Sequence, residues 1–214
     1  MGFSSPKATR TTKTVILYCL CCLCCLSCIL SSCSKEESEA GEFDNWQARN
    51  ESFFATLADS LQRNPSEWIR IKNYSLDPDS EGQSDEYIYV KVLEQGDKTT
   101  GSPSFTDSVR VIYQGRLIPS ATYPQGYIFD GTVGSTFSIA TSATSKQRVS
   151  SMIDGYATAL QHMHCGDHWK VYIPSALAYG STGNGSAIPG YSTVIFELQL
   201  IDFSHAGETM KPWS

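Results

Sequence analysis

Four side chains with metal-binding chemistry fall within seven positions: His162, His164, Cys165 and His168. Two histidines at i and i+2 on a strand would present both imidazoles on one face. Here an apolar stripe of Met152, Tyr156, Ala159 or Leu160, and Met163 places His162 at a helix end instead, so no metal is expected. Cysteine offers a second chemistry, but seven of the eight cysteines lie between Cys19 and Cys33, leaving only Cys165 in the body. No disulfide can staple the body to itself. Cys22-x-x-Cys25 and Cys25-x-x-Cys28 have metal-like spacing, yet they sit among Leu and Ile with no downstream Cys or His pair. Gly180-x-x-Gly183-x-Gly185 lacks the order and following helix of a dinucleotide loop. No Ser/His/Asp arrangement is legible, and no cofactor is expected. Tyr179 stands apart: it precedes Gly180 at the head of a Gly/Ser loop and has no evident packing role.

Charge narrows the partners. The 214 residues are 41% hydrophobic and 18% charged, with a net charge of −6. That is enough apolar material for a core, and it lacks the basic surplus that nucleic acid requires. Lys7, Arg10 and Lys13 precede a run from Val15 to Leu30 that is apolar except at Tyr18 and Ser27. At 16 residues the run is short for a span of about 20 and suits a secretion signal. It ends in Leu30-Ser31-Ser32-Cys33, which resembles a bacterial lipobox and implies cleavage before Cys33 and acylation of Cys33. Residues 1–32 then form a lipoprotein signal peptide and 33–42 an acidic tether; Lys35–Glu42 (KEESEAGE) resembles the surface-export signals of some Gram-negative lipoproteins. The expected location is the bacterial cell envelope, lipid-anchored on the periplasmic or surface side of the outer membrane.

The elements behind these residues follow from periodicity. Phe43, Trp46, Asn50, Phe53, Phe54, Leu57 and Leu61 recur at three and four, a helix over about 44–63 capped by Asp44 or Asn45 and stopped by Asn64-Pro65. Its stripe is expected to pack on its own domain, with a dimer contact as the second use. Asp77–Asp85 is turn-rich. Strand alternation follows in Tyr87–Leu93, in Ser108–Gln114, through Trp169, Val171 and Ile173, and through Val194, Phe196, Leu198 and Leu200. The expected fold is α+β, an antiparallel twisted sheet wrapped around one short helix, preceded by an N-terminal helix. Residues 43–84 form the helical segment and loop, 85–205 the main domain and 206–214 a tail.

From Asp107 to Phe203 the chain resembles FKBP-type peptidyl-prolyl isomerases. The motifs stand in the family's order: Ser108–Gly115 (SVRVIYQG), Ile128-Phe129-Asp130, Met152-Ile-Asp-Gly-Tyr156, Met163 with Gly166, Ile173–Gly180 (IPSALAYG), Ile188-Pro189 and Thr193–Leu200 (TVIFELQL). The resemblance implies a shallow aromatic pocket for a substrate proline. It assigns Tyr113, Phe129, Asp130, Ile153 and Tyr179 to catalysis and Met152, Tyr156, Ile188 and Phe196 to substrate binding. It implies an isomerase that assists protein folding in the cell envelope, or alternatively an FKBP-fold binding or chaperone module with weak or no isomerase activity, with proline-containing polypeptides as substrates and macrolides of the FK506 or rapamycin type as ligands.

The chemistry so implied has no nucleophile. Rotation about X–Pro must overcome about 18–20 kcal/mol of amide resonance. A dry aromatic pocket favours the twisted amide, whose charge separation is smaller, and the resemblance adds hydrogen bonds from the Ile153 N–H and the Tyr179 hydroxyl. Asp130 is expected to hold Tyr113 in place. The chain departs from the family's pattern at Tyr156, where Trp is usual, at the long Ile118–Tyr127 loop beside the pocket, at Ser135, near the place of another pocket aromatic, and at Gly190, where a second Pro is common.

Overall fold

The helical stripe folds as its period requires. In the computed structural model, residues 1–2 and 41–213 are described, with backbone alone at 58 and 62. Helix α1 is Trp46–Arg63. Cys33, the apolar run before it and the tether to residue 40 lie outside the described residues. Among the described residues, no helix is long and apolar enough to cross a membrane. Glu42–Ser214 form one compact unit, grouped apart from Met1–Gly41.

The start of α1 differs from the capped start expected. Asn45 occupies the cap position with φ 51 and makes no side-chain cap bond. The first turn is held from outside instead: Arg49 donates to the Glu42 carbonyl, and Phe43 meets Trp46 edge to face at 5.1 Å. At the far end Asn64 leaves helical geometry, as a residue before proline must, and its N–H closes the last turn on Ser60.

Seven strands follow: β1 Trp68–Lys72, β2 Tyr87–Glu94, β3 Ser108–Leu117, β4 Ile128–Gly131, β5 Ser145–Arg148, β6 His168–Ile173 and β7 Val194–Ser204. A second helix, α2, spans Asp154–Leu160 between β5 and β6. The sheet order is β1-β2-β6-β7-β3-β4, with β5 also paired to β3, and every pairing is antiparallel. The period-2 alternation decides what each face covers. Ile88 and Val90 on β2 point inward with Val171, Ile173, Leu198 and Leu200 onto α2, whose residues from Gly155 to Leu160 are all buried. Tyr89 points the other way, where Phe54 and Leu57 of α1 pack on it and on Trp68. So β2 is covered on both faces, and α1 serves its own sheet. Each such apolar side chain contributes about 1.5–3 kcal/mol on burial. Gly155 lets α2 lie close on the sheet, because a Cβ there would strike the Ile173 side chain.

Candidate active site

Phe196 is the hub of the site. It sits on β7 at 5% exposure, opposite Gly115 of β3. Phe129 of β4 meets it edge to face at 5.6 Å, Tyr156 of α2 at 4.9 Å, and Tyr113 of β3 lies 6.4 Å away. Tyr113 and Tyr156 are themselves edge to face at 6.4 Å. The spacing depends on Gly115: a Cβ there would lie 2.6 Å from the Phe129 ring and 2.8 Å from Phe196. Four aromatic rings thus converge from three strands and one helix, with Tyr156 buried at the bottom and Tyr113 and Phe129 half-exposed above.

The remaining expected residues lie in or against the main hydrophobic core, of which the aromatic rings are one part. Met152, Ile153 and Tyr179 are partly buried on it, and Ile188 is 3% exposed within it. Ile153 is the residue before α2, in extended geometry, and its N–H has no acceptor among the described residues. It is therefore a free donor at the edge of an apolar cluster. Tyr179 is held by its backbone: its carbonyl accepts from Gly183 N–H, and Gly180 N–H returns to Ser175. Burial pushes the Tyr179 hydroxyl up; the Asn184 side chain opposes this and the Asp130 charge adds to it.

Asp130 lies beside Tyr113. One carboxylate oxygen accepts from the Tyr113 hydroxyl at 2.9 Å, and the other accepts from Gly131 N–H at 2.8 Å. Burial, then the bond to Asp130 and its charge, push the Tyr113 hydroxyl up to about 12. Tyr113 therefore stays a neutral donor, fixed toward Asp130.

Tyr156 carries a polar atom into the core. Its hydroxyl is buried facing the Gln147 side chain, and neither it nor Gln147 Oε1 of β5 makes a hydrogen bond of normal geometry among the described residues. Burial pushes this hydroxyl far up. Sequence reading did not single out Gln147, which looks like an ordinary strand residue. It also passed over the support of the Tyr179–Thr193 loop. Trp46 Nε1 donates to Ser192 Oγ at 2.8 Å, Ser192 Oγ donates to Pro189 O at 2.5 Å, and Thr193 N–H donates to Asn50 Oδ1 at 2.7 Å. The one signal for this was a polar residue, Asn50, in the apolar stripe of α1.

The histidines are spread over separate partners. His162 Nδ1 bonds Thr158 O at 2.8 Å, His164 Nδ1 lies 3.4 Å from Asp167, and His168 Nε2 lies 3.1 Å from Glu197 while stacking on Phe137 at 4.3 Å. Among the described residues no three His, Cys, Asp or Glu side chains converge as a metal site would need. Ser135 is exposed.

A box of aromatic rings with free donors at its rim can bind an apolar ring and orient the amide beside it. Comparison with known proteins shows the family. The family model of FKBP-type peptidyl-prolyl cis-trans isomerases matches residues 100–201. The chain is 36% identical over 115 residues to the FKBP-type 22 kDa peptidyl-prolyl cis-trans isomerase of Escherichia coli, covering 54% of this chain and 49% of that one. It is 36% identical over 119 residues to the outer membrane protein MIP of Legionella longbeachae, covering 56% of this chain and 45% of that one. It is 32% identical over 100 residues to the peptidyl-prolyl cis-trans isomerase FPR2 of Saccharomyces cerevisiae, covering 47% of this chain and 67% of that one. The chain thus spans about half the length of the two bacterial relatives. The crystal structure of FkpA from Escherichia coli shares the fold, with a TM-score of 0.50 at 21% identity over 92% of this chain and 74% of that one.

Proposed function

Because this chain belongs to the FKBP-type peptidyl-prolyl cis-trans isomerase family, we propose that it interconverts cis and trans X–Pro bonds in polypeptides of the bacterial cell envelope. The observation that carries the reading is the convergence of Tyr113, Phe129, Tyr156 and Phe196 around one apolar site. The substrate proline ring enters this box, and the amide before it sheds water. An amide in water is held planar partly because its charge-separated form is solvated, so moving it against aromatic rings lowers the barrier to twisting. Ile153 N–H and the Tyr179 hydroxyl lie at the rim, where they donate to substrate carbonyls and hold the twisted bond. Asp130 fixes the Tyr113 ring as a wall and takes no proton. No bond is broken, so no nucleophile or base is required. A macrolide of the FK506 or rapamycin type would compete for the same box.

The location part of the proposal rests on Leu30-Ser31-Ser32-Cys33 and the 16-residue apolar run before it. Cys33 becomes the acylated N-terminus, and the acidic tether holds the folded body off the membrane. The outer-membrane name of the Legionella relative agrees with that location.

Two measurements test the proposal. Exchange of a Phe-Pro tetrapeptide between its isomers should accelerate with added protein and slow when a rapamycin-type macrolide is added; no acceleration of any X–Pro peptide would overturn the isomerase reading. Cys33→Ala should abolish palmitate labelling in a bacterial host; continued labelling would remove the anchor assignment.

A further inference from the structure

The loop from Ile118 to Tyr127, between β3 and β4, is built. Ser120 N–H and Gly126 N–H both donate to the Tyr123 carbonyl, at 3.0 and 2.8 Å, and Leu117 N–H donates to Tyr127 O at 2.9 Å. Gly126 turns the chain with φ +83, where a Cβ would strike the Leu117 carbonyl. The loop is also tied to the start of the body. Hydrogen bonds from Ser120 and Thr122 to the Glu42 carboxylate hold it below its usual range.

This scaffold displays an apolar surface to solvent. Tyr123 and Tyr127 pack edge to face at 5.1 Å, yet they are 41% and 37% exposed. Ile128 and Phe43 beside them are 45% and 43% exposed. Lone exposed apolar residues are ordinary; four on one built surface mark a contact site. A groove of about 350 Å³ lies there, between Tyr123 and Tyr127 on one side, Ser186 and Ala187 on another, and Glu42 and Phe43 at the end.

Both walls of the groove run into the aromatic box. Tyr127 and Ile128 directly precede Phe129, and Ala187 directly precedes Ile188. Adjacent Cα atoms are about 3.8 Å apart, so the backbones of Tyr127 and Ala187 lie within about 4–8 Å of those of Phe129 and Ile188. An extended polypeptide advances about 3.3 Å per residue. A side chain two or three residues from a proline seated in the box therefore reaches the groove.

We propose that this groove is a second substrate subsite, which takes an aromatic or large aliphatic side chain two or three residues from the isomerised proline. The proposal rests on the isomerase reading above. Tyrosine faces and Ala187 supply the apolar contact, and the tyrosine hydroxyls, Thr122 and Ser186 leave the rim able to hydrogen-bond the passing backbone. Because the loop is already ordered, binding costs little further conformational entropy.

The test is a set of seven-residue peptides with Phe-Pro fixed at the centre and Leu or Ala at each outer position. Partial burial of one such side chain supports a preference of about tenfold. Wild-type protein should prefer Leu at positions two or three from proline on one side only, in kcat/KM and in Kd by calorimetry. In the double variant Tyr123→Ala/Tyr127→Ala the Leu-to-Ala ratio should fall to about one, whereas Leu93→Ala, at an exposed site on β2, should keep it. A ratio retained in the double variant, or no positional preference in wild-type protein, overturns the subsite. Self-association that disappears in the double variant would also overturn it, by showing that a second copy fills the groove. If wild-type protein turns over no peptide, the isomerase reading fails, and the Kd series still decides the groove.

Discussion

Trp46 and Ser192 lie 146 positions apart in sequence and share a buried hydrogen bond of 2.8 Å. Through it the N-terminal helix reaches the loop that carries Ile188, since Ser192 in turn donates to Pro189 O. The helix is therefore tied to the loop that carries Ile188 as well as covering the back of the sheet. Ser192→Ala leaves the indole N–H buried and unpaired, at a cost of about 1–3 kcal/mol. The melting temperature should fall by about 2–4 °C for each kcal/mol. Turnover of a Phe-Pro tetrapeptide should fall several-fold as the loop loosens. Trp46→Phe removes the donor and keeps most of the packing, so it should lose less stability than activity. If both variants melt lower and keep full kcat/KM, α1 stabilises without positioning.

Tyr113 and Asp130 set a pH expectation. Burial and the Asp130 carboxylate push the Tyr113 hydroxyl from an ordinary tyrosine value of about 10 up to about 12. A group with a raised folded pKa contributes stability that is complete below its unfolded value and is lost as pH rises through the folded value. This contribution should thus hold up to about pH 10 and drain away between there and about pH 12. Ultraviolet titration of tyrosinate should show several late-ionising tyrosines, Tyr156 and Tyr179 among them, and one fewer of these in Tyr113→Phe. In Asp130→Asn Tyr113 should ionise earlier, because the carboxylate that disfavours tyrosinate is gone. An unchanged titration in Asp130→Asn would show that burial alone raises it.

Tyr156 and Gln147 form a second coupled pair. Tyr156→Phe deletes a buried hydroxyl that makes no hydrogen bond of normal geometry and keeps the aromatic floor. It should raise stability by up to about 1 kcal/mol and leave kcat/KM within about twofold. Tyr156→Trp adds volume to a fully buried site and should cost about 1–3 kcal/mol. Adding Gln147→Ala should recover much of that loss, because the space beneath the ring is what Trp needs. Differential scanning calorimetry on these three variants and on Gln147→Ala alone reads this directly. Additive losses in the double variant would show that Gln147 does not limit the floor.

The strands β2, β6 and β7 were legible because their alternation is clean, whereas β4 entered only through its Phe129-Asp130 motif. Ile88 and Val90 of β2, Val171 and Ile173 of β6, and Leu198 and Leu200 of β7 all face the core. Trp68–Lys72 and Ser145–Arg148 were not legible as strands. The first is a five-residue edge strand with Arg70 between its two isoleucines, and the second, Ser-Lys-Gln-Arg, is polar throughout and is held only by pairing with β3. Local pattern cannot report a strand whose stability is borrowed from its neighbour. The box residues were legible through motifs near Gly115, Gly155 and Gly180. Ser192 and Gln147 were not, because their roles are partnerships with distant residues.

Phe129 and Tyr179 separate pocket shape from hydrogen bonding. Phe129 is half-buried at the rim, and its ring contacts Phe196. Phe129→Ala removes a wall without opening the deep core, so the protein should stay folded with a modest drop in melting temperature. Catalysis should fall further, since water then reaches the amide and the proline loses a face to pack on. A loss of about 10²-fold in kcat/KM corresponds to about 2.7 kcal/mol of transition-state stabilisation. Tyr179→Phe removes one donor and keeps the ring. A dominant oxyanion donor is worth about 10²–10³ in rate. Here the rings and the Ile153 N–H share the work, so a loss of about tenfold or less is expected. The two variants should also differ in kind. Phe129→Ala should weaken macrolide binding along with turnover, because both use the wall. Tyr179→Phe should lower kcat more than it raises KM, because its bond strengthens as the amide twists. Full activity in a folded Phe129→Ala would move the proline site elsewhere, and an equal effect of Tyr179→Phe on KM and on macrolide affinity with kcat unchanged would make its hydroxyl a binding group only.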